Sequence, residues 1–153
     1  MNTDLSVAPE IALLAAPLVP TQTDAPAPCT DGRLAGDLAD LAAAPQRWWD
    51  LVRFDPEGPL RIPLPGPAGA WLLVLPPGAA AACDCGQATA LAGEAVETTG
   101  PAGAGAARPL RPGRVLVHGT RAPHRLLSAG HGYSVTLHGA LSAQRSTDNH
   151  HLG

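Results

Sequence analysis

Two periods run along this chain. Leu34, Leu38 and Leu41 recur at i, i+4 and i+7, one face of a helix that Asp31 is placed to cap. Pro45 ends that helix or opens a second, in which Trp48, Leu51 and Val52 repeat the spacing. The pattern predicts a helical pair packed on a larger body, with Trp48 and Trp49 as packing residues rather than a ligand platform. From Leu60 the period becomes two. Leu60, Ile62 and Leu64 alternate, and Trp71-Leu72-Leu73-Val74-Leu75 forms a continuous apolar run between GPAG and PPG. Leu91 to Thr98, Val115 to Val117, His124 to Leu127 and Tyr133 to Ala140 read as further short strands, separated by turn signals. Helices first and then an antiparallel barrel or jelly roll is the architecture expected. The side-chain-poor stretch 101–109, PAGAGAARP, reads as a mobile loop.

Composition bounds the function. The 153 residues amount to about one domain: an Ala/Pro/Thr-rich arm over 1–30, a single domain over 31–145 and a polar tail over 146–153. The net charge of −3 gives no footprint for nucleic acid. All ten positive side chains are Arg, which excludes Schiff-base chemistry and a Walker-type phosphate loop, since both need Lys. The apolar stretch Ile11 to Val19 is about half a membrane span, contains Pro17 and lacks a basic flank, so neither a membrane segment nor a secretory signal is expected. Three cysteines are too few for a disulfide scaffold. A cytoplasmic protein with reduced thiols is the expectation. Barrels with exposed strand edges often pair, which leaves a homodimer open.

Cys83-Asp84-Cys85 carries the chemistry. On a strand, residues i and i+2 share a face, so both sulfurs would point together and Asp84 away, into a structural hydrogen bond. Thiolates are strong ligands for zinc, copper(I) or iron, and His124, at the head of a strand that would run alongside, could add a third donor. Buried packing cysteines and a strained Cys-x-Cys disulfide are the competing readings. His118 is the better candidate for a fourth ligand. His131 reads as a turn residue, His150 and His151 as solvated, and Arg121 and Arg125 as facing away from His124.

WLLVLPPGAAAACDCGQATALAGEAVETT, followed by LRPGRVLVHGTRAPHRLLSAGHGYSVTLHGA, resembles the cysteine dioxygenase (thiol dioxygenase) family of cupins in its bacterial form. That family reads W-L-L-x-W-x-P-G, H-D-H-G and G-x-L-x-E, then an L-x-P-G turn, a lone His and S-L-H-x-Y. The upstream RWWDLVRFDPEG resembles its helix and linker, and the likeness spans about residues 33 to 141. It implies a cupin jelly-roll barrel with a short N-terminal helical segment. Cys83 and Cys85 stand where the family has two His metal ligands, and His124 at the third. Arg61 stands near the arginine that binds the substrate carboxylate. His138 and Thr136 match the His and Ser of S-L-H, the part that organises the oxygen and substrate side. Ala140 replaces the family's Tyr, Ser128 replaces an Asn, and the segment from Cys85 to Gly93 is about four residues short. The motif's glutamate has no clear counterpart.

These departures leave two functions. Two thiolates in place of two imidazoles add about two negative charges, favour a thiophilic metal and are themselves oxidisable. One reading is a repurposed metalloenzyme with one divalent ion: iron by resemblance, zinc, copper or nickel by ligand chemistry. It would act on a small amino-acid-like or thiol substrate held by Arg61, with His138 as proton shuttle or supporting group. The other is a degenerate cupin serving as a binding or partner module.

Overall fold

The computed structural model of this protein describes residues 30–66, 69–100, 104–118 and 123–140. The expected arm (Thr30 apart) and tail lie outside them, as do Cys29, Arg121, His150 and His151. Helix α1 spans Asp31–Ala42 and buries Leu34, Leu38 and Leu41. Its cap is Thr30 and not Asp31: the Thr30 hydroxyl accepts from the Arg33 amide at 3.3 Å. Asp31 instead occupies the first turn, where its charge complements the helix dipole. Pro45 disfavours helical geometry in the residue before it, and Ala44 leaves the helical region (φ −120°, ψ 71°). The chain continues as two single 3₁₀ turns, Pro45–Arg47 and Trp49–Leu51, rather than a second α-helix. Trp48 is buried between them and donates from its indole to the Leu41 carbonyl at 3.0 Å, an acceptor it shares with the Ala44 amide at 3.1 Å. Trp49, expected to pack, is 54 % exposed.

Nine strands follow among the described residues: β1 Leu60–Pro63, β2 Trp71–Leu75, β3 Ala80–Cys83, β4 Gln87–Ala92, β5 Ala95–Thr99, β6 Ala107–Pro109, β7 Leu116–Val117, β8 His124–Ser128 and β9 Ser134–Gly139. They form two antiparallel sheets, ordered β1-β2-β9-β4-β7 and β3-β8-β5-β6. The stretch expected to be one strand, Leu91 to Thr98, is divided. Gly93 takes φ +72° and sends the chain from one sheet to the other. Residues 107–109, expected in a loop, pair with β5. All three residues are exposed, and backbone pairing with β5 and the Arg108–Glu97 contact supply the order that core packing does not.

The five-stranded sheet is covered on both faces, which explains why every residue of β2 is buried. Leu72 and Val74 face α1 and Trp48 in one apolar cluster with Val135 and Leu137. Trp71, Leu73 and Leu75 face inward and meet Cys83, Ala95 and Leu126 of the other sheet in a second. Gly139 lets the helix approach closely, since a Cβ there would lie 3.1 Å from Leu38 and 3.2 Å from Leu34. The result is a jelly roll with a helix on its back.

Leu38, 1 % exposed, anchors that back layer; Leu38→Ala is expected to cost about 3 kcal/mol, read as a lower urea midpoint at unchanged slope. A Cβ at Gly93 would stand 2.2 Å from the Tyr133 carbonyl oxygen. Gly93→Ala should therefore lose more than about 2 kcal/mol in the same assay, since left-handed strain and a backbone clash add.

Candidate metal centre

Alternation decides which side chains enter the barrel. Thr136 and His138, two apart on β9, both point inward, as do His124 on β8 and Glu97 on β5; all four are buried. Cys83 ends β3, directly opposite His124 in the β3/β8 register. Cys85 lies just beyond the strand, yet the alternation persists: both cysteines are buried, free thiols, and Asp84 is exposed. Among the described residues Asp84 makes none of the hydrogen bonds expected of it.

The interior groups form one continuous column. Thr136 Oγ1 lies 2.7 Å from His138 Nε2 and donates its single proton to the Leu73 carbonyl at 3.3 Å. The hydroxyl oxygen must then accept from Nε2–H, which turns Nδ1 toward the sulfurs. His138 Nδ1 is 3.2 Å from Cys85 Sγ and 3.5 Å from Cys83 Sγ. Cys85 Sγ is also 3.1 Å from His124 Nε2. His124 stacks on His118 with ring centres 4.3 Å apart. His118 Nε2 contacts Glu97 Oε1, and the other carboxylate oxygen of Glu97 accepts from Arg108 Nε at 3.1 Å. At the opposite end Trp71 stacks on His138 at 5.6 Å, and the Arg61 guanidinium lies 3.8 Å over Trp71.

The ionisation states follow from these contacts. The two sulfurs share one proton: the hydrogen bond from Cys85 holds the Cys83 thiol far below its ordinary range, with burial opposing and His124 and His138 assisting. The same bond, then burial, pushes Cys85 far up. Burial alone would raise the Glu97 carboxyl, but the hydrogen bonds and charges of His118 and Arg108 outweigh it and hold the group below the usual carboxylate range. The interior thus carries a thiolate and a carboxylate.

Two overlapping donor sets have all ligand atoms within 4.8 Å of one another: Cys83, Cys85 and His138, and Cys85, His118 and His124. Of the residues singled out in the sequence, Cys83 and Cys85 converge. The imidazole that closes a three-donor set with both of them is His138, expected to be a shuttle, whereas His124 groups with Cys85 and His118. Thr136 touches His138 alone among the site groups. Arg61 is exposed and reaches the cluster only through the Trp71 ring. Arg125 is exposed, as expected, and His131, read as a turn residue, is exposed too.

Glu97 was missed. Its signal was present, because Gly93-Glu94-Ala95-Val96-Glu97 follows G-x-L-x-E with Ala95 in place of Leu, and strand alternation then turns Glu97 inward beside Ala95.

No family model matches the chain, and no curated protein sequence does. Solved structures do. The TT1209 protein of Thermus thermophilus is 22% identical with TM-score 0.49, over 61% of this chain and 93% of that one. A cupin superfamily protein of Desulfitobacterium hafniense is 17% identical with TM-score 0.47, over 61% and 88%. The Cupin_2 domain of an XRE family transcriptional regulator from Enterobacter cloacae is 16% identical with TM-score 0.44, over 53% and 93%. Such likenesses carry nothing about chemistry. No helix among the described residues is long and apolar enough to cross a membrane. By its strand order and facing antiparallel sheets, the architecture is a jelly-roll barrel.

Proposed function

We propose that this barrel is a metal-binding cupin in which Cys83, Cys85 and an imidazole hold one thiophilic divalent ion. The observation that carries the reading is the meeting of two buried thiols and three imidazoles along one column, with Cys85 common to both three-donor sets. Charge supports it. Glu97 is already matched by His118 and Arg108, whereas the buried Cys83 thiolate lies within the donor set itself, where a divalent cation would offset its charge. The spacings support it too. The sulfur–nitrogen separations of 3.2 and 3.5 Å are close to the edge of about 3.6 Å that a tetrahedron of zinc–sulfur and zinc–nitrogen bonds requires.

The donor set fits zinc better than the iron implied by the resemblance. Oxygen activated beside two thiolates would oxidise them, so we do not adopt thiol dioxygenation. A bound zinc ion supplies Lewis acidity, suited to lyase, hydrolase or isomerase chemistry. The chain's own residues complete the arrangement. Thr136 orients the His138 ring and Trp71 packs against it, while Arg61 on the outer side of Trp71 would hold the carboxylate of a small amino-acid-like substrate at the metal only if the Trp71 ring moved aside. A second reading, a closed structural centre, is favoured by burial: Cys85 and His124 are each 2 % exposed and His138 0 %.

Protein purified without an affinity-metal column is expected to carry about one equivalent of metal by elemental analysis. Cys85→Ser should weaken binding by about 100-fold or more, since it empties both sets. Loss in His138→Ala with retention in His118→Ala would assign the Cys83/Cys85/His138 set, and the reverse the other. No metal after reconstitution with zinc, iron, nickel and copper under reducing conditions would defeat the proposal. In the cobalt-loaded protein, a spectrum that shifts with added cysteine would favour the enzyme, and an inert one the closed centre.

Proton release supplies a separate check. Cys83 is already ionised at pH 7 and Cys85 is not, so zinc binding should release about one sulfur proton. Calorimetry in two buffers of different ionisation enthalpy measures this; a release near two would show that Cys83 is an ordinary thiol.

A further inference from the structure

The chain holds a second site that is independent of the metal reading. Its net charge is −3, yet between Glu97 and Asp148 there is neither an Asp nor a Glu. Three of the ten arginines in the chain fall between Arg108 and Arg114, in R-P-L-R-P-G-R. Arg108, Arg111 and Arg114 line one cleft of about 410 Å³ together with Pro109 and Leu116. Among the described residues Arg111 and Arg114 have no carboxylate partner. Arg108 meets Glu97 through Nε alone among its nitrogens.

The backbone beneath these side chains is pinned. Leu110 is buried, and its amide donates to the Ala95 carbonyl at 2.9 Å. Pro112 bridges to Ala90. Gly113, at φ +74°, closes a turn in which the Arg114 amide donates to the Arg111 carbonyl at 3.3 Å. Proline at 109 and 112 fixes φ on either side of the buried anchor. Guanidinium groups carried on a rigid backbone lose less freedom on capturing an anion than they would on a free loop. The volume lies within the range of about 300–1,000 Å³ usual for small-ligand sites.

We propose that this cleft binds a small organic oxyanion, a phosphate monoester or a carboxylate, with the anionic group on Arg111 and Arg114 and the hydrocarbon against Pro109 and Leu116. Arg108 closes the inner wall and joins the cleft to Glu97.

Titration with phenyl phosphate and, separately, benzoate, followed by calorimetry and by amide shifts of Arg114 and Leu116, tests this. Saturable binding that weakens with salt is expected, falling about tenfold for each arginine removed in Arg111→Gln and Arg114→Gln. Both side chains are exposed and Arg108 is left intact, so an unchanged melting temperature separates lost binding from lost fold. The ratio of the two affinities assigns the anionic group. Non-saturating shifts, variants that bind as well as the parent, or an equal loss in Arg33→Gln/Arg47→Gln would overturn the proposal. So would a single-stranded oligonucleotide that binds more tightly and displaces phenyl phosphate.

Discussion

Everything inside this barrel depends on the partners of Cys85 Sγ. Thr136, His138, His124 and Glu97 have been taken out of water by the sheets that carry them. Each would cost about 1–3 kcal/mol if it lacked a partner there. The column that satisfies them is continuous, and Cys85 is where its halves join: His138 on one side at 3.2 Å, His124 on the other at 3.1 Å. A sulfur tolerates this position because it is large, polarisable and able to act as thiol, thiolate or metal ligand. An apolar residue there would leave two imidazoles facing hydrocarbon.

The helix layer makes that interior possible. With α1 and Trp48 packed over Leu72, Val74, Val135 and Leu137, the outer face of the five-stranded sheet supplies an apolar core of its own. The inner face is then free to hold His138 and Thr136 beside their register partners Trp71 and Leu73, with Leu126 of the other sheet packed against the apolar members. This division also explains the unbroken apolar run of β2, which reads as a buried strand because both of its faces are covered.

How much of this was legible depended on whether the signal was local. Leu34, Leu38 and Leu41 declared the helix by spacing, and the alternation through Cys83-Asp84-Cys85 correctly turned both sulfurs inward. The turn at Gly93 was obscured because Leu91 to Thr98 is apolar enough to pass for one strand; only the left-handed backbone at the glycine divides it. β6 had no apolar pattern to show, since its pairing with β5 rests on backbone groups. The imidazole partner was the hardest to read. His124 aligns with Cys83 in register, but His138 comes from the opposite sheet, and side-chain proximity across a barrel leaves no trace in spacing. Glu97 was legible through its pentapeptide and strand parity, had both been applied together.

The distribution of charge ties the two sites together. Arginines bracket the polar column, Arg61 over Trp71 at one end and Arg108 on Glu97 at the other, while the anions sit between them. A guanidinium at each rim stabilises buried negative charge without itself being desolvated, which costs less than burying the ion pair whole. Arg108 is half-exposed where it holds a fully buried carboxylate, so it also faces the arginine cleft outside. Because only Nε of Arg108 is spent on Glu97, the same residue can hold the buried carboxylate and border a cleft whose anion rests on Arg111 and Arg114.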